Sequence, residues 1–117
     1  MYEYRAQITK VVDGDTVDAE VDLGFHVQFT MRLRLFGINA PEMNTSAGPL
    51  SKAHLIELLS PPTEPPIPAG IYLPVTIRTQ KDRTEKYGRY LATIIRTDGV
   101  DVNALMVADG FAIGWLP

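Results

Sequence analysis

The chain has no cysteine, which excludes disulfide staples and thiolate metal centres and leaves the redox compartment open. Its two histidines, His26 and His54, are too few for a zinc site built on imidazole. No apolar run approaches the ~20 residues that a membrane-spanning helix needs. The start, Met1-Tyr2-Glu3-Tyr4-Arg5, shows no basic segment followed by an apolar one, so neither a signal peptide nor a membrane anchor is expected. The expectation is a monomer that stays in the cytoplasm. An excess of basic charge is missing too, the formal net charge being −3. That disfavours binding of polyanions by bulk charge. Counterion release depends on local lysines and arginines, however, and eleven basic residues are enough to line one groove.

The 117 residues suit one domain spanning 1–117, since domains most often run about 100–150 residues. Ala6 to Val12 reads as a first strand. From Thr16 to Leu23, Val17, Ala19, Val21 and Leu23 alternate with Asp18, Glu20 and Asp22, the period of a half-buried strand. After a turn at Gly24-Phe25-His26, the residues Val27, Phe29, Met31, Leu33 and Leu35 repeat the pattern against Gln28, Thr30, Arg32 and Arg34. A hairpin would set these arginines across from the acidic face of the preceding strand.

A helix is expected from Pro49 to Leu59, with Leu50, Ala53, Leu55, Ile56, Leu58 and Leu59 as its apolar face. Ser60 to Gly70 holds five of the nine prolines and reads as a stiff connector. Ile71, Leu73, Val75 and Ile77 alternate as a further strand, Thr79 to Lys86 forms a polar loop, and Arg89 to Arg96 a last strand. Past the turn Thr97-Asp98-Gly99, a short helix from Val102 ends at Gly110 as its cap. The expected fold is β-rich α+β: five strands closed into a small Greek-key barrel, with two or three helices.

Charged residues recur in three places: Asp13-Gly14-Asp15-Thr16, Arg34 to Glu42, and Lys86-Tyr87-Gly88-Arg89. Carboxylates that hold a divalent cation, a further carboxylate that deprotonates water, and guanidinium groups that stabilise phosphoryl charge are what phosphodiester cleavage requires. Each residue also has a simpler reading. Asp13 and Asp15 can shape a turn, Arg34 can pair across the hairpin, and Pro41-Glu42 can be a loop with a solvated carboxylate. Trp115 reads as core or an edge cover, or as an aromatic that stacks on a base. The joint occurrence of the three motifs argues against the simpler reading for the set.

Val12-Asp13-Gly14-Asp15-Thr16-Val17, Arg32-Leu33-Arg34-Leu35-Phe36-Gly37-Ile38-Asn39-Ala40-Pro41-Glu42 and Lys86-Tyr87-Gly88-Arg89 resemble the staphylococcal nuclease (thermonuclease-like) family in identity, order and spacing. The resemblance extends through Gly48-Pro49, Arg83-Thr84-Glu85 and Val102-Asn103-Ala104-Leu105 ahead of Gly110. It implies an oligonucleotide-binding-type (OB) barrel and calcium-dependent hydrolysis of single-stranded DNA and RNA that leaves 3′-phosphates. It also implies metal ligation by Asp15, Asn39 and the Ala40 carbonyl, and a general base at Glu42. Arg34 and Arg89 would bind phosphate, while Lys86 and Tyr87 would contact a terminal phosphate. Asp13 reads as an outer-shell or turn residue. Manganese or magnesium are alternatives to calcium in a cytoplasm poor in free calcium, and a phage, plasmid or mobile-element setting would suit such a protein.

The proline-rich connector departs from that pattern away from the motifs, where it bears on packing or a partner, and two features depart from it within them. Asn39 stands where the family usually has an aspartate, and an amide brings a dipole where a carboxylate brings a charge. The segment from Glu42 to Gly48 carries no lysine, which removes an electrostatic rim. Both features favour the alternative function, a barrel that binds nucleic acid or protein without cleaving. Glu42 beside Arg34 and Arg89 favours the enzyme, because a binder has no need of the base.

Overall fold

The computed structural model of the protein describes residues 2–61, 70–80 and 90–115. Five strands close a barrel: β1 (Tyr2–Asp13), β2 (Thr16–Asp22), β3 (Gln28–Leu35), β5 (Pro74–Gln80) and β6 (Tyr90–Arg96), in the spatial order β1-β2-β3-β6-β5. A second, two-stranded sheet pairs β4 (Ile38–Asn39) with β7 (Ile113–Gly114). The helices are α1 (Ala47–Leu59) and α2 (Val102–Ala108). Neighbours in the barrel are antiparallel except β3 and β6, which run parallel. This is the expected OB-type barrel, with two helices.

Closure depends on β1, which is longer than its apolar pattern suggests. Tyr2 to Gln7 pair with β5, while Ala6 to Asp13 pair with β2. Register shifts between Ile8 and Lys10 and between Val11 and Asp13 bend the strand, as an extra residue in one strand of a pair does, so that one strand serves two neighbours. The alternating residues then point inward: Ile8, Val17, Ala19, Val21, Leu33, Leu35, Ile77 and Ile94 are all buried. Burial of a large aliphatic side chain contributes roughly 1.5–3 kcal/mol, so these positions hold the barrel shut.

The β2–β3 hairpin forms in the expected register, with Asp18 opposite Arg32 and Thr16 opposite Arg34. Its tip departs from expectation. Leu23, Val27 and Phe29 are exposed, and Phe25, 97% exposed, adopts positive φ together with His26. The alternation continues there beyond the reach of the barrel interior. The alternation from Ile71 likewise breaks before β5: Tyr72 is buried and Ile71 exposed, and Leu73 donates its N–H to the Leu59 carbonyl at 2.8 Å. The strand that was expected to stop near Ile77 runs on to Gln80.

Helix α1 begins two residues ahead of Pro49, which the first turn accepts because its missing N–H has no partner there. Its buried residues are Gly48, Ser51, Leu55 and Leu59, one narrow stripe at i, i+4, i+8, whereas Leu50 is 62% exposed. The expected broad face is thus narrower and rotated. Ser60 closes the helix, its hydroxyl donating to the Ile56 carbonyl at 2.5 Å. Helix α2 starts at the Asp101 cap, which accepts from the Ala104 N–H. It stops at Gly110, where φ is +84° and Phe111 donates its N–H back to the Met106 carbonyl, a Schellman closure. His54 lies between the helices rather than on a free surface. Its Nε2 is 2.7 Å from Asp109 Oδ2 and its ring stacks on Phe111 at 4.0 Å.

Asn103 joins α2 to the barrel. It is 4% exposed, donates Nδ2–H to the carbonyls of Phe36 (2.9 Å) and Ala92 (3.0 Å) and accepts the Ile94 N–H at Oδ1 (3.1 Å). Every polar atom of the buried amide is thereby used, and the turn that follows β3 is fixed to β6. No helix among the described residues is long and apolar enough to cross a membrane.

Candidate active site

The turn Asp13-Gly14-Asp15 is built by its own side chains. Asp13 Oδ1 accepts the Asp15 N–H at 3.0 Å, the Asx geometry that aspartate favours in turns. The Asp15 carbonyl accepts the Leu35 N–H at 2.8 Å, which ties the turn to the end of β3. Gly14 is required by space: a Cβ there would lie 2.0 Å from Ser51 Oγ and 2.8 Å from the Ala40 Cβ. Only a glycine lets α1 and the Ala40 segment press against this turn.

Asp15 is 6% exposed and sits at the centre of a network. Oδ1 accepts from the Thr16 hydroxyl (3.0 Å) and Oδ2 from the Ala40 N–H (2.9 Å), with Arg34 Nη1 3.6 Å from the same oxygen. Arg34 Nη2 donates to the Ile38 carbonyl and to Asn39 Oδ1, both at 3.4 Å. The structure therefore gathers Asp15, Arg34, Asn39 and Ala40 from three separate elements. The Ala40 contribution seen here is its N–H, a role that sequence reading did not anticipate.

Among the described residues the site is short of positive charge. Burial pushes the Asp13 carboxyl above the ordinary carboxylate value of 3.8, and the neighbouring Asp15 carboxylate raises it further, while the Asp15 N–H pulls it partly back. Two carboxylates against the one guanidinium among the described residues leave net negative charge there, which a cation would neutralise. The donors at hand are carboxylate, amide and peptide oxygens, a hard set that suits calcium, magnesium or manganese. Among the described residues no three His, Cys, Asp or Glu side chains cluster as a ready ligand set, so an ion would draw further oxygens from water or substrate.

Glu42 follows two residues after Ala40 and is exposed. Its backbone is held firmly: the Glu42 carbonyl accepts the Thr45 N–H at 3.0 Å and the Thr45 hydroxyl at 2.6 Å. Thr45 Oγ1 in turn accepts the Gly48 N–H at 3.3 Å. A Cβ on Gly48 would lie 2.2 Å from the Glu42 carbonyl oxygen, so the first turn of α1 sits directly on the Glu42 segment. No hydrogen bond or ion pair among the described residues engages the Glu42 carboxylate. It borders an open cleft of about 330 Å³ lined by Asn39, Ala40, Pro41 and Glu42 on one side and Gly110 to Ile113 on the other.

Clefts of similar size, about 330 Å³ beside Tyr2, Tyr4 and Tyr90 and about 480 Å³ beside Arg5 and Glu20, contain none of the sequence-predicted residues. Size does not mark the site; the grouping of oxygen ligands and guanidinium does. The remaining candidates, Lys86, Tyr87 and Arg89, lie outside the described residues, as does most of the proline-rich connector. Trp115 is not part of the core: it is 45% exposed, with Arg34 Cζ 5.4 Å from its ring centroid. Sequence reading missed that contact, and no local signal could have revealed it.

No family model matches the chain. Individual proteins do. It is 28% identical over 122 residues to a micrococcal nuclease of Shigella flexneri, a match covering 94% of this chain and 58% of that one. It is 31% identical over 110 residues to an uncharacterized endonuclease of Escherichia coli O157:H7, covering 94% and 60%. It is 26% identical over 121 residues to endonuclease YhcR of Bacillus subtilis, covering 94% of this chain and 9% of the larger protein. The chain thus spans between half and two thirds of the length of the first two relatives. Along nearly its whole length, and on an OB-type barrel, the chain is similar to nucleases from different bacteria, a likeness that supports the resemblance to the staphylococcal nuclease (thermonuclease-like) family.

Proposed function

We propose that this protein is a metal-dependent phosphodiesterase that hydrolyses single-stranded DNA or RNA and leaves 3′-phosphate ends. The observation that carries the reading is the network in which Asp15, Arg34, Asn39 and Ala40 interlock at one end of the barrel, beside a cleft that Glu42 borders. The named nucleases among its relatives support the same reaction class.

In this reading Arg34 binds the non-bridging oxygens of the scissile phosphate through the planar edge of its guanidinium, a better match to two oxygens than an ammonium. Arg89 supplies a second such contact, while Lys86 and Tyr87 hold a terminal phosphate. Glu42, exposed and unpaired among the described residues, accepts a proton from the attacking water. The water oxygen forms the new bond to phosphorus, the bond to the 5′ oxygen breaks, and the departing oxygen takes a proton from solvent. Asp15, Asn39 and the Ala40 carbonyl would hold a calcium ion, or manganese or magnesium in its place. A bound cation of this kind supplies charge stabilisation to the phosphoryl oxygens. With an amide at Asn39 in place of a carboxylate, such an ion would be weakly held by the protein alone.

Asn39 also favours a second reading, a barrel that binds single strands without cutting them. One assay separates the two. Denatured DNA is incubated with the pure protein, with and without millimolar calcium. Degradation that a chelator stops, and that Glu42→Gln reduces by about two orders of magnitude or more, supports the enzyme. Retention of the strand on the protein with no cleavage under any divalent ion supports the binder.

A further inference from the structure

The three oxygens around the Arg34 guanidinium lie at 3.4, 3.4 and 3.6 Å, all long for charge-assisted hydrogen bonds. None of them fixes the plane of the group. A further neighbour is the Trp115 ring, 5.4 Å from Cζ to the centroid and within the ~6 Å reach of a cation–π contact. The ring is itself anchored. Trp115 donates its N–H to the Gly37 carbonyl at 2.8 Å, and the preceding Gly114 pairs with Ile38 in the β4–β7 ladder. The same small sheet therefore carries Asn39 on one strand and leads into Trp115 on the other.

We infer that Trp115 is a positioning residue for Arg34: it covers one face of the guanidinium and keeps its donor edge turned toward Asn39 and Asp15. A guanidinium donates only in its plane, so an aromatic on its face consumes no donor and leaves the edge free for phosphate. The ring restricts the last torsions of a side chain that weak hydrogen bonds alone would leave mobile. Trp115 lies outside the buried core cluster, so its removal opens no internal cavity, and a purely structural role would not act through Arg34. The kinetic consequence of the pairing rests on the phosphodiesterase reading; the contact itself does not.

Trp115 is the chain's one tryptophan, so its emission reports this site alone. Arg34→Ala should shift the emission, whereas Arg32→Ala should not. A hexathymidylate added in EDTA should change the emission of the wild-type protein and leave that of Arg34→Ala unchanged. On denatured DNA with calcium, Trp115→Ala should lower kcat about tenfold with a smaller change in KM. Trp115→Phe should recover most of the loss and Trp115→Leu should not. In an Arg34→Ala background, Trp115→Ala should cost less than about twofold.

Emission insensitive to Arg34→Ala overturns the proposal. So does a Trp115→Ala loss of equal size with and without Arg34. Should the wild-type protein cut no nucleic acid, the phosphodiesterase reading falls and the emission measurements still decide the pairing. Trp115→Phe, which keeps an aromatic ring, provides the test if Trp115→Ala fails to fold.

Discussion

Arg32 and Arg34 stand two residues apart on the same face of β3, and each meets an aspartate, Asp18 within β2 and Asp15 in the turn just ahead of it. Arg32 makes the better ion pair: Nε is 2.8 Å from Asp18 Oδ1 and Nη2 is 3.2 Å from Oδ2. That hydrogen bond, foremost, holds the Asp18 carboxyl below its ordinary value, against the opposing effect of burial. Its side chain is 49% exposed, however, where water competes. Arg34 sits 3.6 Å from Asp15 with only 15% of its side chain exposed, and its partners among the described residues lie at long hydrogen-bond distances. The well-made pair has little at stake because solvent would replace either partner. The looser, drier cluster is the one with donors to spare and charge left over. Short distance marks a satisfied pair, while unspent bonding capacity in a sheltered place marks a site.

Changes at the two arginines and their surroundings should separate these roles. The largest effect is expected from Arg34→Ala, which should lower turnover on denatured DNA by about two to three orders of magnitude, since one transition-state donor is worth roughly that much. Retained wild-type turnover would remove Arg34 from the chemistry. Asn39→Asp should come next. It adds a full charge to the ligand set and should tighten calcium binding by about one to three orders of magnitude, measured by calorimetric titration. Unchanged affinity would take Asn39 out of the site.

Asn103→Ala strips three hydrogen bonds from a buried amide and leaves the Ile94 N–H unpaired. Urea denaturation should show a loss of about 2–3 kcal/mol, and Asn103→Asp, which cannot donate to the two carbonyls, should not recover it. The smallest effect belongs to Arg32→Ala, for which turnover and melting temperature at neutral pH should stay near the wild-type values. The sign of its pH dependence follows from the depressed Asp18 carboxyl. Any stabilisation by the pair is present above 3.8 and is lost as pH falls through the lower folded-state value. The melting curves of Arg32→Ala and wild type should therefore converge in acid, and a gap that widens there would contradict the assignment.

Much of this was legible in the residues. The period-2 runs from Thr16 and Val27 mark the hairpin because each strand has one face in the barrel, and Asp13-Gly14-Asp15 marks a turn because its side chains close it. Legibility ends where the physics is not local. Val27 and Phe29 keep the alternation but lie past the rim, so the pattern persists where the burial does not. The two-residue strands β4 and β7 are too short to show any period. Asn103 is a polar residue within an apolar helix sequence, and only its three distant partners explain it. Arg34 and Trp115 meet because of a ladder between segments far apart in the chain, and composition records nothing of that. Glu42 illustrates both sides: its identity is suggestive in the sequence, but the Thr45 and Gly48 contacts that hold its backbone appear only in the fold.

The β4–β7 ladder also carries a consequence for how the cluster is held together. Asp15, Arg34, Asn39 and Glu42 lie close to one another in the chain, but Asn39 pairs with Ile113, and the Gly37 carbonyl accepts the Trp115 N–H. The Gly37–Asn39 turn is therefore set by a segment distant in sequence and is not a locally folding unit. Fraying of that two-residue ladder would loosen the Asn39 side of the cluster without opening the barrel, whose strands pair independently of it.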